Sequence, residues 1–451
     1  MAVTKLASLS ATAVAAAIRQ REVSAAALVE ALGRRIEERE ERLLAWVTLD
    51  LEGARRQAQA LDRELASGRR RGPLHGVPVG VKDIFYTAGL PTRAGSPLYQ
   101  NFVPSFDATS VRRLRQAGAI VLGKTHTTQL AYGDPAPTRN PWHREHTPGG
   151  SSSGSAAAVA DRMVPAALGS QTAGSVLRPA AFCGIVGLKP TYGRIGRGGV
   201  FPLAWSLDHV GVLVRTVADA ALLLSALAGP EPDDPTAAPT PVPDYMAAVA
   251  EPRPPRIGLV RRLFQERTEA AAWAQLEAAA QRLAAAGAAV EEAQPPSEFD
   301  AVLDVHHVVM AAEVAAYHGP IFHQRPDAYR PRLRAMIELG QLIPTAAYLH
   351  AQRARRHMAR ATLTLFDRYD VLLASAARGP APRGLEWTGD PACNAPWTLF
   401  GFPALALPIG LDGQGLPLGA QVVAAPWQEA RLLSAARWCE ATLGLELAPR
   451  S

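Results

Sequence analysis

A chain of 451 residues, 48% hydrophobic and 20% charged, has the composition of a globular protein with room for a large core, which excludes a disordered or fibrous chain. Its 47 basic and 41 acidic residues leave a formal charge of +6, too thinly spread to argue for nucleic-acid binding, and the one compact basic run, Arg69-Arg70-Arg71, reads as a solvated loop. Three cysteines (Cys183, Cys393, Cys439) are too few for a disulfide framework and fit a reducing, cytoplasmic setting, and no run of roughly 18 apolar residues argues for a membrane span.

In chain order, Leu6 to Leu65 reads as helices, an alanine-rich start at Met1 to Ala17 included. Ala25, Leu28, Val29, Leu32 and Ile36 recur at helical spacing, and Ser24 stands where an N-cap belongs. Gly76 to Phe85 is apolar, β-branched and bounded by Gly and Pro, the pattern of a buried strand that carries a lysine. Ser110 to Gly118 is an amphipathic helix and Ala119 to Leu122 a short strand, so helix and strand alternate as in an α/β fold. Ser155 to Met163 reads as a small-residue helix, Val164 to Leu168 and Cys183 to Leu188 as strands, and Thr216 to Leu227 as a helix. The Pro-, Asp- and Thr-rich stretch Gly229 to Pro243 is an exposed connection. The sheet resumes at Arg256 to Val260, followed by a helix over Ala270 to Ala286 and a strand over Ala288 to Val290. Residues 297 to 368 are helical, Tyr369 to Ala374, Pro403 to Ile409 and Leu418 to Val423 are strands, and Glu429 to Leu443 closes the chain as a helix. The expectation is one α/β domain over 1–451, with core motifs in 72–220 and a helical, substrate-side region at about 297–368.

Three positions carry candidate chemistry. Gly149 to Pro179 holds two clusters of glycine and small hydroxyl residues, which would form two walls of one site, with Ser151 and Ser175 as candidate nucleophile or proton relay. Lys82 sits in an apolar strand, where burial lowers a lysine's pKa and makes it a competent base; taken alone, a structural ion pair is the better account of it. Gly150-Ser151-Ser152-Ser153-Gly154 also fits a nucleophile elbow with Ser152 attacking, but that motif needs a strand before it, and Trp142 to Pro148 is polar and proline-bounded. No phosphate loop follows the glycines, and neither His143-Arg144-Glu145-His146 nor the cysteines have metal-ligand spacing, so no cofactor or metal is expected. His306 and His307 are candidates for a substrate pocket but read rather as solvated helix histidines, and Trp397 and Phe400 as core or pocket border.

Gly76 to Phe85 (G-V-P-V-G-V-K-D-I-F), Gly149 to Ala157 (G-G-S-S-S-G-S-A-A) and the segment from Gly174-Ser175 to Thr191, with A-A-F-C-G-I-V-G-L-K-P-T, resemble the amidase signature family. The likeness is strongest over residues 72 to 220 and continues through Phe400-Gly401-Phe402-Pro403 and Gly415 to Gln421. It implies an α/β domain with a mixed central sheet and a Ser–cisSer–Lys triad. By motif position Lys82 is then the base, Ser151 the cis-peptide relay and Ser175 the nucleophile, and the backbone around Thr172, Ala173, Gly174 and Ser175 forms the oxyanion hole. Ser152 would orient the site by hydrogen bonding, and Arg178 would brace the loop.

Against that pattern, the usual aspartate four residues before the nucleophile is Gln171, and the usual second glycine of the oxyanion loop is Ala173. Arg178 stands three residues after the nucleophile rather than two, Ser153 replaces a glycine, and a frequent glutamate is Gln129. These departures argue against the glutaminase subunit of a tRNA-dependent amidotransferase. The expectation is therefore a stand-alone, cofactor-free serine hydrolase of linear amides, aryl esters or carbamates (urethanes), acting as a monomer or homodimer on small molecules, without nucleic acid or membrane. The alternative is the amidotransferase subunit itself, supplying ammonia for tRNA-linked transamidation with a partner protein.

Overall fold

The computed structural model describes residues 6–232 and 234–449. Eleven strands form one sheet: β1 Trp46–Leu49, β2 Pro78–Lys82, β3 Ile120–Thr125, β4 Ala166–Gln171, β5 Val186–Lys189, β6 His209–Val214, β7 Arg256–Val260, β8 Ala289–Ala293, β9 Val371–Ser375, β10 Ala404–Leu411 and β11 Pro417–Val423. Their order is β1-β3-β2-β4-β6-β5-β10-β11-β9-β7-β8. Strands β3, β2 and β4 run parallel, as do β8, β7 and β9, while the middle of the sheet is antiparallel, so the sheet is mixed. The expected mixed α/β domain is thus what the chain forms, and the Pro-rich stretch after Gly229 does not divide it; Asp233 and the first five residues of the alanine-rich start lie outside the described residues.

Local chemistry accounts for most of the elements. Ser24 accepts a hydrogen bond from Ala27 N and caps the helix Ala25–Leu43, which buries Leu28, Val29, Leu32 and Ile36 as its periodicity predicts. Thr216 caps Val217–Leu227 in the same way through Asp219 N. Strands β2 to β6 and β9 are buried on both faces, which is why they read as continuous apolar runs rather than as alternations. Among the described residues, no helix is long and apolar enough to cross a membrane.

The structure departs from the expected elements in three places. Leu6 to Leu65 is not all helix: Leu44, in the left-handed region at φ 52°, ends the second helix, and Trp46–Leu49 pairs with β3 as an edge strand too short to show periodicity. Cys183 to Leu188 is not one strand. Leu177–Cys183 is helical, Gly184 at φ 66° terminates it, and β5 begins only at Val186. Strand β6 is an addition to the expected elements, although the β-branched run His209-Val210-Gly211-Val212-Leu213-Val214 has the composition of a strand.

Topology positions the site. Strands β2 and β4 are parallel neighbours, with Val81 opposite Leu168, so their carboxyl ends, Lys82 and Ser170-Gln171, emerge side by side. Ligands of open α/β sheets gather outside such ends. The helix Ser153–Ala160 is wholly buried and starts two residues after Ser151 at the same edge. Gly154 makes that seating possible: a Cβ there would lie 2.1 Å from Ala45 O and 2.5 Å from His126 N, both backbone atoms that cannot yield. Gly154→Ala is expected to destabilise the fold by about 1–3 kcal/mol, read as a lower urea midpoint at unchanged m.

Candidate active site

Lys82 is the last residue of β2 and is fully buried. Its Nζ lies 2.7 Å from Ser151 Oγ and 2.8 Å from Ser170 Oγ. Among the described residues, no carboxylate pairs with it. The buried ion pair at this edge belongs instead to Lys124 and Asp83, 3.1 Å apart, so the ion-pair account of Lys82 does not hold. Burial pushes the Lys82 pKa well below the ordinary lysine value, partly opposed by the field of Asp208.

Ser151 follows a cis peptide bond with Gly150. The Gly150 carbonyl accepts from Arg178 Nη2 at 2.7 Å, and the same guanidinium reaches Thr388 Oγ1 at 3.1 Å. Arg178 thus ties Gly150 to Thr388. It also lines the cavity, with Nε and Nη1 buried and unpartnered among the described residues. Ser152 is fully buried and exchanges 3.3 Å contacts with the backbone O and N of Ser170. No strand precedes it, and it does not line the cavity, so the elbow reading fails on geometry.

Beyond β4 the chain crosses residues 172–175 and enters the helix Leu177–Cys183. Gln171 Oε1 accepts from Val176 N at 2.8 Å and Leu177 N at 3.0 Å, while its Nε2 donates to Thr398 Oγ1 at 3.0 Å. Thr398 Oγ1 donates to Ala173 O at 2.7 Å. Thr172 Oγ1 donates to Asp208 at 2.6 Å, and Thr172 O accepts from His306 Nε2 at 2.9 Å. Tied through these side chains and carbonyls, the loop leaves the N–H groups of Ala173, Gly174 and Ser175 with no acceptor among the described residues. Ser151, Thr172, Ala173, Gly174, Ser175 and Arg178 line one cavity of about 150 Å³. Tyr132, Met310, Arg332 and Trp387 are among the other residues that line it. Ser175 Oγ has no hydrogen-bond partner among the described residues and is free to meet a ligand.

Sequence reading brought Lys82, Ser151, Ser175 and the 172–174 loop to one place, but it missed four supports. Ser170 holds Lys82 and is found only once β2 and β4 are known to be neighbours. Thr398 and Asp208 come from remote segments. His306 is not solvated. It shares the buried face of the helix Val302–Gln324 with Val302, Val309 and Met310, a spacing visible in the sequence. Trp397 does not border the cavity; it stacks on Phe264 with rings 5.8 Å apart, in the core. Gln129 joins the site indirectly, fixing Ala328 O and Arg330 N just ahead of the helix that carries Arg332.

Comparison with known proteins follows this geometry. The amidase family model matches residues 27–433. A glutamyl-tRNA(Gln) amidotransferase subunit of Moorella thermoacetica is 38% identical over 93% of this chain and 93% of its own. A solved structure described as a vestigial protein complex that reveals the origins of an s-triazine catabolic enzyme superposes with TM-score 0.91 at 31% identity, over 98% of this chain and 99% of the other. Native peptide amidase from Stenotrophomonas maltophilia superposes with TM-score 0.85 at 30% identity, over 98% of each chain.

The curated relative overturns the expectation of a stand-alone hydrolase of small amides, esters and carbamates. A match across nearly the whole of both chains is to an amidotransferase subunit, which favours the alternative reading. The same finding sets aside the expected small-molecule substrate, the exclusion of nucleic acid and the monomer or homodimer. The departures from the family pattern carry less weight than the residues alone suggest, and the structure gives the reason: Gln171 supplies the acceptor for the helix N–H groups that an aspartate would, and adds a donor to Thr398.

Gly174 tests the loop. A Cβ there would meet Asn394 Oδ1 at 2.6 Å, and Asn394 is held by Ala376 O and Gln421 Oε1. Gly174→Ala is expected to lower turnover by roughly 100-fold, the scale of one lost oxyanion donor, while thermal unfolding shows a folded protein.

Proposed function

The chain belongs to the amidase signature family, enzymes acting on amide C–N bonds, and from that premise we propose that it is the glutamine-hydrolysing subunit of a tRNA-linked amidotransferase. The observation that carries this reading is the 38% identity to such a subunit over 93% of both chains. The contact between Lys82 and Ser151 and the unpaired N–H groups of residues 173–175 support it. The three cysteines are free and buried, in keeping with the cytoplasmic location that the reading carries with it.

In this mechanism neutral Lys82 accepts the Ser151 proton while Ser151 takes that of Ser175. Ser175 Oγ attacks the side-chain carboxamide of glutamine, and the developing oxyanion is received by the N–H groups of Ala173, Gly174 and Ser175. The relay runs back to protonate the nitrogen, the C–N bond breaks, and ammonia leaves for the partner's tRNA-linked acyl acceptor. Water then releases glutamate from the acyl-enzyme and restores Ser175. A hydrogen bond between Ser151 and Ser175 would form as substrate enters, since catalytic hydrogen bonds commonly tighten only in the substrate complex. The guanidinium groups of Arg178 and Arg332 line the cavity and would receive the glutamine α-carboxylate.

Ammonia release from glutamine is the direct test. It is expected to rise by about tenfold or more, a barrier change of about 1.4 kcal/mol, when the purified chain is combined with the remaining amidotransferase subunits of its own organism. Turnover of simple anilides by the chain alone, with glutamine untouched in either preparation, would sink the proposal.

The pH dependence follows from Lys82. The base must be neutral, and burial lowers its pKa, so kcat/KM is expected to rise with pH along one acidic limb and then level. The Asp208 carboxylate favours the lysine's charged form; Asp208→Asn removes that field and should move the limb to lower pH. Lys82→Ala should cut turnover by orders of magnitude with no limb left to measure. A limb that shifts upward in Asp208→Asn would contradict the assignment.

A further inference from the structure

The N–H groups that would receive the oxyanion belong to successive peptide units, and each unit has its carbonyl held by a different part of the chain. In a trans peptide the C=O and the following N–H point in opposite directions across one rigid plane. Anchoring a carbonyl therefore aims the next residue's N–H. His306 Nε2 donates to Thr172 O at 2.9 Å, in the unit whose N–H is that of Ala173. Thr398 Oγ1 donates to Ala173 O at 2.7 Å, in the unit whose N–H is that of Gly174. Arg178 N donates to Gly174 O at 2.9 Å as the next helix begins, in the unit whose N–H is that of Ser175. The third anchor is ordinary helix geometry. The first two are side chains that no local backbone rule supplies.

We infer that His306 and Thr398 are positioning residues that orient the oxyanion-hole peptides of residues 172–174 from outside the loop. The inference rests on the reading of Ser175 as nucleophile. His306 is buried, and burial lowers its pKa to about 4, so its imidazole stays neutral, with the proton on Nε2 that the Thr172 carbonyl requires. Thr398 is fully buried, and its hydroxyl is in turn fed by Gln171 Nε2 at 3.0 Å. The helix that carries His306 also contributes Met310 to the cavity wall, and its Glu313 accepts from Ser206 N at 2.8 Å and Ser206 Oγ at 2.6 Å. Residues 306, 310 and 313 share one helix face. One rigid element therefore sets a peptide of the oxyanion hole, a wall of the cavity and the loop leading to Asp208.

The test reads Ser175 itself and needs no knowledge of the natural substrate. The rate at which a fluorophosphonate phosphonylates Ser175 is measured in the full-length chain and in His306→Leu, His306→Gln, Thr398→Val and Thr398→Ser. Labelling is expected to slow by roughly 10- to 100-fold in the Leu and Val variants, which lack the donor, and by less than about threefold in the Gln and Ser variants, which keep it. Thr398→Val preserves shape, so it reports even where His306→Leu does not fold. Labelling at the wild-type rate in the Leu and Val variants overturns the inference and leaves the nucleophile reading standing. Equal slowing in the conservative and non-conservative variants overturns it too, because packing and not the donor would then be responsible. A wild-type label on a serine other than Ser175 removes the nucleophile reading and this inference with it.

Discussion

A lysine with no counter-ion among the described residues, held at the end of a buried strand, is the constraint around which this site is built. Lys82 Nζ has two hydroxyls within 2.8 Å and, among the described residues, no carboxylate in contact. A charged ammonium in that position would be costly, so the group is held toward its neutral form, in which it has a lone pair to offer. The parallel pairing of β2 with β4 is what brings Ser170 beside it, and the buried helix Ser153–Ala160, admitted by Gly154, is what brings Ser151. The three hydrogen-bonding groups are thus delivered by three elements that the sheet packs together.

The loop that follows β4 works on the opposite principle. The Thr172 hydroxyl and the carbonyls of residues 172, 173 and 174 are engaged, while the Ser175 hydroxyl and the backbone N–H groups of residues 173–175 have no partner among the described residues. Gln171 organises the near end by accepting from the first N–H groups of the helix and donating onward to Thr398. Asp208 and His306 hold the two faces of Thr172. Because these anchors come from positions 208, 306 and 398, folding of the distant half of the chain is needed before the loop is set. Donors fixed in this way cost no reorganisation when charge develops beside them.

A scaffold of this construction separates chemistry from selection. Lysine, serines and loop stand on strand ends and buried helices, while Tyr132, Arg332 and Trp387 reach the cavity from loops and from the start of the helix Pro331–Gln341. The solved relatives described as a peptide amidase and in terms of an s-triazine catabolic enzyme share this frame at 30–31% identity. The curated amidotransferase relative is nearer in sequence, and Gln171 shows how a signature position can change while its hydrogen-bonding duty is kept. Fold and site alone do not choose among substrates.

Much was legible in the residues themselves. The capped helix at Ser24, the apolar run ending at Lys82 and the two glycine–serine clusters all carry local signals, because turn chemistry, periodicity and burial are written within a few positions of one another. The short edge strand Trp46–Leu49 lacked the length for a pattern, and the helix Leu177–Cys183 was hidden in an apolar run that suits helix and strand alike. The placement of Ser170, Asp208, His306 and Thr398 could not be read locally, since each meets its partner across at least 36 residues. By itself the sequence determined which groups are present, a lysine, two serines and a glycine-lined loop, and the kind of sheet that would carry them. Only the tertiary structure decided that the lysine lacks a counter-ion, that a histidine expected in solvent is buried against Thr172, and that the loop's N–H groups are left unpaired, because those outcomes depend on which distant segments the sheet order brings into contact.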